Sequence, residues 1–197
     1  MRQASVERIT KETQIKLSLN LDGKGVGEIN TGIGFLDHML RLFSAHSRID
    51  LNVDCKGDTY IDYHHSVEDI GISLGLAIKQ ALGDFKGIYR YGNACIPMDE
   101  ALVNVALDIS GRCYLNYGIT NLNPKAGSFD TELVQEFFEG LCRALGLTLH
   151  IVQFAGTNTH HIIECAFKAF ARAIKIAVAI DPTMEGEIPS TKGVIQN

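Results

Sequence analysis

Alternation and helical spacing divide the chain into two runs of the same kind. Apolar and polar residues alternate over Ser5–Thr10 and again over Gln14–Leu21, where Ile15, Leu17, Leu19 and Leu21 share one face. That is the period-two signature of a half-buried strand. Asp22-Gly23 then marks a turn. A helix is predicted over Gly32–Ala45, a strand over Arg48–Cys55 and a helix over Ser66–Leu82, in which Ile70, Leu74, Ala77 and Ala81 recur at helical spacing. Ser66 is the expected cap of that helix, with Asp69 completing a capping box that uses Asp in place of Glu. The second run predicts strands over Tyr89–Ile96, Leu102–Ile109 and Arg112–Tyr117, a helix over Asp130–Leu145, a strand over Leu147–Phe154 and a helix over His161–Ala179. Pro182 and the tail beyond it stop the last helix. Strands followed by helices in each run predict an α+β fold built from two similar half-domains, each a mainly antiparallel sheet with helices packed on one face. The half-repeats are expected at 1–84 and 85–197, the second carrying the C-terminal tail, with the boundary near Gly83–Gly87 and the two halves forming one compact unit.

The repetition extends to chemistry. Residues 64–68 read His64-His65-Ser66-Val67-Glu68 and residues 160–164 read His160-His161-Ile162-Ile163-Glu164, so four of the seven histidines lie in two His-His-x-x-Glu motifs. About 26 residues before the first stands Phe35-Leu36-Asp37-His38-Met39-Leu40. At a similar distance before the second stands Leu133-Val134-Gln135-Glu136-Phe137-Phe138, which sets His38 against Glu136. The period of roughly 96 residues is longer than that of solenoid repeats and means two half-domains, not an array.

Imidazole and carboxylate are ligands for first-row metals. One copy of the motif reads equally as a polar loop with capping residues. Two copies point to two metal positions, or to one site closed by two halves. Each Glu is expected in the first turn of its helix. Adjacent side chains point in different directions, so His64 and His65 are expected to serve different metals, as are His160 and His161. His38 and Glu136 join the candidate ligands through the alignment. His46 either lines the site or simply ends its helix, and His150 in its strand reads as structural. Arg90, Arg112, Lys168 and the run Ser190-Thr191-Lys192-Gly193 could hold a phosphate, since Arg forks and Lys point charges suit that dianion. Spacing alone does not separate them from surface charges, nor Glu12 from a surface turn.

Composition narrows the classes. At 197 residues the chain can bury a good core. No segment reaches the ~18 apolar residues that a membrane span needs, and the N-terminus lacks the apolar run of a secretory signal. A formal charge of −5 argues against a nucleic-acid partner. Five cysteines, odd in number and without a Cys-x-x-Cys, fit structural thiols in a reducing cytoplasm. The absence of His-Glu-x-x-His argues against that zincin class, and no glycine-rich nucleotide loop is present.

The phrases Thr31-Gly32-Ile33-Gly34-Phe35-Leu36-Asp37-His38-Met39-Leu40, Asp62-Tyr63-His64-His65-Ser66-Val67-Glu68-Asp69 and Thr159-His160-His161-Ile162-Ile163-Glu164 closely resemble the imidazoleglycerol-phosphate dehydratase family. So do Thr10-Lys11-Glu12-Thr13 and Ser190-Thr191-Lys192-Gly193, and the resemblance runs from Val6 to Val194. It implies dehydration of imidazole glycerol phosphate to imidazole acetol phosphate in histidine biosynthesis, in the cytoplasm. It also implies two manganese ions (Mn²⁺) per active site and a homo-oligomer of twenty-four subunits with sites at subunit interfaces. Carried over by position, the metal ligands are His38, His64, His65, Glu68, His160, His161 and Glu164. Family members often have a further ligand His where this chain has Glu136, and glutamate can also bind Mn²⁺. The resemblance assigns phosphate binding to Arg90, Arg112, Lys168, Ser190 and Lys192, with Thr191 between them. It places Glu12 as an acid/base near the substrate, and His46 along the substrate. His38 is counted with the substrate-facing groups, and His46, Glu68 and Glu164 join Glu12 among the catalytic ones.

Such a site suits the reaction. The departing hydrogen has no adjacent carbonyl, so enolate stabilisation is not available. Metal bound at the substrate imidazole favours its anion by Lewis-acid polarisation, and that anion can expel the neighbouring hydroxyl. Glu12 is then the expected base for the C–H proton. Two other classes satisfy the ligand set alone: a dinuclear metallohydrolase, and a non-catalytic module whose assembly depends on metal.

Overall fold

The computed structural model describes residues 2–195. Its elements run β1 (Gln3–Ile9), β2 (Thr13–Asn20), β3 (Ile29–Asn30), α1 (Gly34–Ser47), β4 (Asp50–Gly57) and α2 (His64–Leu82), then β5 (Tyr91–Met98), β6 (Ala101–Asp108), β7 (Tyr114–Gly118), β8 (Lys125–Ala126), β9 (Phe129–Asp130), α3 (Leu133–Leu145), β10 (Thr148–Ala155) and α4 (Thr159–Val178). The longer elements fall where periodicity predicts them. The two-residue strands β3, β8 and β9 are too short to carry any period. No helix among the described residues is long and apolar enough to cross a membrane.

The two four-stranded sheets have one topology. In the first, the order is β1-β2-β4-β3, with β1–β2 and β2–β4 antiparallel and β3–β4 parallel. In the second, the order is β5-β6-β10-β7, with β5–β6 and β6–β10 antiparallel and β7–β10 parallel. Strand for strand the senses agree, as an internal duplication requires. The β8–β9 hairpin has no counterpart in the first half. Clean alternation sets the faces: in β2, Ile15, Leu17 and Leu19 are buried, and in β6, Val103, Val105 and Leu107 are.

Helices cover one face of each sheet, and they pair across the halves. α2 lies on β1 and β2 and packs against α3, whereas α4 lies on β5 and β6 and packs against α1. Phe43 of α1 stacks on Phe170 of α4, and Phe170 meets Phe138 of α3 edge-on, with centroids 5.6 and 5.4 Å apart. One buried apolar cluster therefore spans both halves.

The α2–α3 crossing depends on missing side chains. A Cβ at Gly71 would lie 2.3 Å from the Phe137 carbonyl oxygen, and one at Gly75 would lie 2.6 Å from that of Leu141. Gly71→Ala gains about 1 kcal/mol in helix propensity but must force two backbones apart. We expect a net loss of about 2 kcal/mol. Thermal melting should register it as a Tm lower by about 4–8 °C for a chain of this length; an unchanged or higher Tm would contradict the close crossing.

One expectation is corrected at the helix ends. α2 begins at His64, so Ser66 lies buried inside the first turn and does not cap it. Asp62 serves the helix start instead, its Oδ1 accepting from the His64 N–H at 2.8 Å. Asp69 is also turned inward. It binds Arg8 Nε at 2.9 Å and the Thr13 hydroxyl at 2.5 Å, tying α2 to the first sheet. In α4 the side chain of Asn158 caps the helix, accepting from the N–H groups of His160 and His161.

Candidate metal centre

Both motifs sit at the first turn of a helix that runs out from its sheet. Starting at the His pair, each helix brings its Glu one turn beyond the first His, past the first turn in which it was expected. On α4, His160 and Glu164 therefore share a face, and α1 delivers His38 to it. His38 Nε2 and His160 Nε2 each lie 3.1 Å from Glu164 Oε2. Donor atoms of the three fall within 4.8 Å of one another. Ligands at right angles on bonds of about 2.1 Å are about 3 Å apart, so two imidazoles and a carboxylate at this spacing fit a divalent first-row ion. Glu164 is buried, which works against its ionisation. Hydrogen bonds from Lys168, at 2.6 Å from Oε1, and from His38 outweigh that burial and hold its pKa below the usual carboxylate value.

His161 faces elsewhere, with its ring nearly perpendicular to that of His160 and 6.4 Å away. Its Nδ1 meets Glu100 Oε2 at 2.8 Å. The other Glu100 oxygen accepts from the N–H groups of Thr157 and Asn158. The His161 contact and those two backbone groups draw the Glu100 carboxyl down to about 2, and the same contact raises His161. A carboxylate on Nδ1 fixes the tautomer and leaves Nε2, 3.9 Å from Asp99 Oδ2, as the nitrogen open to an ion.

The second cluster is on α2. His64 Nε2 stands 3.9 Å from Glu68 Oε2, while His65 turns away with its ring 6.2 Å from that of His64. Asp58 Oδ2 holds His65 Nδ1 at 3.0 Å and raises its pKa, and Glu12 Oε1 lies 3.7 Å from His65 Nε2. The other Glu68 oxygen is taken by Arg143 Nη2 at 2.5 Å. Glu136 is half-buried on α3, and its side chain makes no hydrogen bond or ion pair among the described residues. The first cluster thus holds His38, His160 and Glu164, and the second His64 and Glu68, while His161 with Glu100 and His65 with Asp58 and Glu12 face away from them. No hydrogen bond or ion pair joins the two clusters within the chain among the described residues.

The candidate phosphate groups separate. Lys168 lies beside Glu164, and His46 lies near it: burial, then Lys168 and Arg172, lower the His46 pKa. Arg90 is committed to Asp108 at 2.7 and 3.1 Å and to the Pro189 carbonyl at 2.8 Å, so it braces the tail instead of offering a free fork. Ser190 accepts from the Lys192 N–H in a turn that leaves Thr191 and Lys192 exposed. Arg112 is exposed. A cleft of about 610 Å³ opens on the first cluster, walled by Phe35, His38, His160 and the β8–β9 hairpin with Lys125 and Ser128.

Three residues escaped the sequence reading: Asp58, Glu100 and Arg143. The duplication carried a signal for one of them. Glu12 is at the β1–β2 turn and Glu100 at the β5–β6 turn, and each meets the second His of its half's motif. Aligning the hairpins as well as the helices pairs the two glutamates. Glu100→Gln leaves a neutral group on Nδ1, and we expect Mn²⁺ affinity to fall about tenfold, measured by titration of metal-stripped protein. Unchanged affinity would mean that the contact does not orient a ligand.

Comparison with known proteins decides the family. The family model for imidazoleglycerol-phosphate dehydratase matches residues 31–174. The chain belongs to the imidazoleglycerol-phosphate dehydratase family. Among curated relatives, a protein of that name from Synechococcus is 55% identical over 196 residues, covering 100% of this chain and 98% of its own. Another from Azorhizobium caulinodans is 55% identical, covering 99% of each. The crystal structure of the Staphylococcus aureus dehydratase aligns with a TM-score of 0.82 at 44% identity, over 90% of this chain and 99% of that one. The Pyrococcus furiosus structure aligns at 0.83 and 39% identity, over 96% and 99%. Family membership makes the chain a dehydratase of histidine biosynthesis by class, and the shared α+β fold agrees.

Proposed function

We propose that this chain dehydrates imidazole glycerol phosphate to imidazole acetol phosphate in the cytoplasm, using two manganese ions held by the His-Glu clusters. The observation that carries this reading is the second motif folded into a donor set with His38, in which donor atoms of His38, His160 and Glu164 lie within 4.8 Å of one another. His38, His64, His160, Glu68 and Glu164 are the nearest ligands, His65 and His161 offer Nε2, and Glu136 is the candidate in the place of the family's further His. Manganese held by these residues would supply Lewis-acid polarisation to the substrate's imidazole. Glu12, exposed on its hairpin turn beside His65, takes the C–H proton. Lys168, Arg112, Ser190 and Lys192 orient the phosphate, with Thr191 between them and Arg90 bracing their loop from behind. His46 lines the substrate path beside Lys168.

Glu12 meets a histidine of α2 and Lys168 lies on α4, so one copy does not gather the whole set. We propose that sites close between copies, in a homo-oligomer of twenty-four subunits, with the α2 cluster of one copy facing the α4 cluster of another. The α2 cluster has an apolar rim to support this: Tyr60 and Ile61, just before His64, are 88% and 58% exposed.

The test is turnover by purified, Mn²⁺-loaded protein. Formation of the keto product without release of inorganic phosphate supports the dehydratase. Phosphate release with no keto product supports a metallohydrolase. Neither product, from protein whose oligomer size depends on metal, leaves the assembly module.

A further inference from the structure

Each motif carboxylate gives its Oε1 to a basic side chain, but the two bases come from different places. Glu164 turns Oε2 to the imidazoles of His38 and His160, and Lys168 holds its Oε1 at 2.6 Å. Glu68 Oε2 lies 3.9 Å from His64 Nε2, beyond hydrogen-bond reach, and Arg143 holds its Oε1 at 2.5 Å. Lys168 is one turn along the same helix, whereas Arg143 reaches across from α3. Gly140 permits that reach: a Cβ there would lie 2.9 Å from the Glu68 carbonyl oxygen, so α3 passes close to the start of α2. Arg143 is seven residues after Glu136, two turns on, and so shares its face of α3.

We propose that Arg143 is a positioning residue for the metal site on α2: by occupying Oε1 of Glu68 it confines that carboxylate to offering a single oxygen. It has this role only if Glu68 is a metal ligand, as proposed above. The arrangement has opposing effects. A guanidinium beside a cation site repels the ion and competes for its ligand, which weakens binding. A carboxylate restricted to one oxygen leaves room in the coordination shell for a neutral ring nitrogen. Arg143 therefore sacrifices affinity for the ion and preserves access for an imidazole.

The experiment uses metal-stripped full-length protein, titrated with Mn²⁺ and then with imidazole, both followed by electron paramagnetic resonance. Arg143 is 59% exposed, so truncation should leave the fold intact. Arg143→Met is expected to bind as many ions as the wild type, with one class about three- to tenfold tighter because a partly solvated charge has been removed. Its bound imidazole should weaken, and the spectrum of the ion should change. Arg143→Lys, which keeps a cation at Oε1, should stay close to the wild type. Tighter metal with unchanged imidazole binding would reduce Arg143 to a bystander charge and overturn the positioning role, as would no change in either. A wild-type protein that takes up no Mn²⁺ would overturn the metal reading itself, and Arg143's role with it.

Discussion

Chelation is expected to lower keto-product formation to less than about one-thousandth of the metal-loaded rate, and Mn²⁺ to restore it. The size follows from the chemistry. The hydrogen that must leave has no carbonyl beside it, and no side chain of either cluster can serve as an electron sink. Histidine, glutamate and lysine can hold or move protons, but withdrawing charge from the ring requires the ion. In stripped protein Lys168 and two imidazoles still hold Glu164, so the folded chain should persist while turnover collapses. Restoration has a definite pH dependence. Asp58 raises the pKa of His65, and Glu100 that of His161. A raised pKa means that the proton competes with the ion over a wider range, and only neutral imidazole binds metal. Apparent Mn²⁺ affinity should therefore be weak at acid pH, climb through a region above the ordinary imidazole value of about 6.5, and level off beyond it. Full turnover after exhaustive stripping, checked by metal analysis, would refute the metal role. Affinity that is flat across that range would refute His65 and His161 as ligands.

Glu12→Gln should lower kcat by about 10²- to 10⁴-fold, the usual worth of a positioned acid or base. Glutamine keeps the shape and the hydrogen-bonding reach of the side chain but cannot accept the C–H proton. The backbone of the turn should not change: the Glu12 N–H donates to Thr10 Oγ1 and its carbonyl accepts from the Asp58 N–H, neither of which involves the carboxylate. Mn²⁺ stoichiometry should hold, which separates a lost base from a lost ligand. Steady-state turnover and metal content on the same preparation make the measurement. Near-normal kcat would remove Glu12 from the chemistry.

Much of this was legible in the sequence because the periods are clean. The alternation in β2 and β6 sets their buried faces, and the helical spacing in α2 and α4 sets theirs. The His-His-x-x-Glu copies announced both clusters for the same reason: i and i+4 share a helix face, so His64 with Glu68 and His160 with Glu164 meet wherever the helices go. Contacts between distant elements were not legible. Asp58 on His65 and Arg143 on Glu68 depend on how a loop and a helix pack, and no local period encodes that. The Ser66 cap failed on a finer point: Asp62 competes for the same helix start, and Asp69 has stronger partners in Arg8 and Thr13. The cross-pairing of helices was equally hidden, since an amphipathic stripe records that a face is buried and not against what.

That cross-pairing bears on how the chain came to be. Each half offers one helix to the other's sheet-bound helix, α1 to α4 and α3 to α2. An ancestor of half this length could bury those surfaces by pairing with a second copy of itself. Joining two such copies end to end would fix the pairing within one polypeptide. Once joined, each half could diverge separately, so that one carboxylate is held from its own helix by Lys168 and the other from a borrowed helix by Arg143.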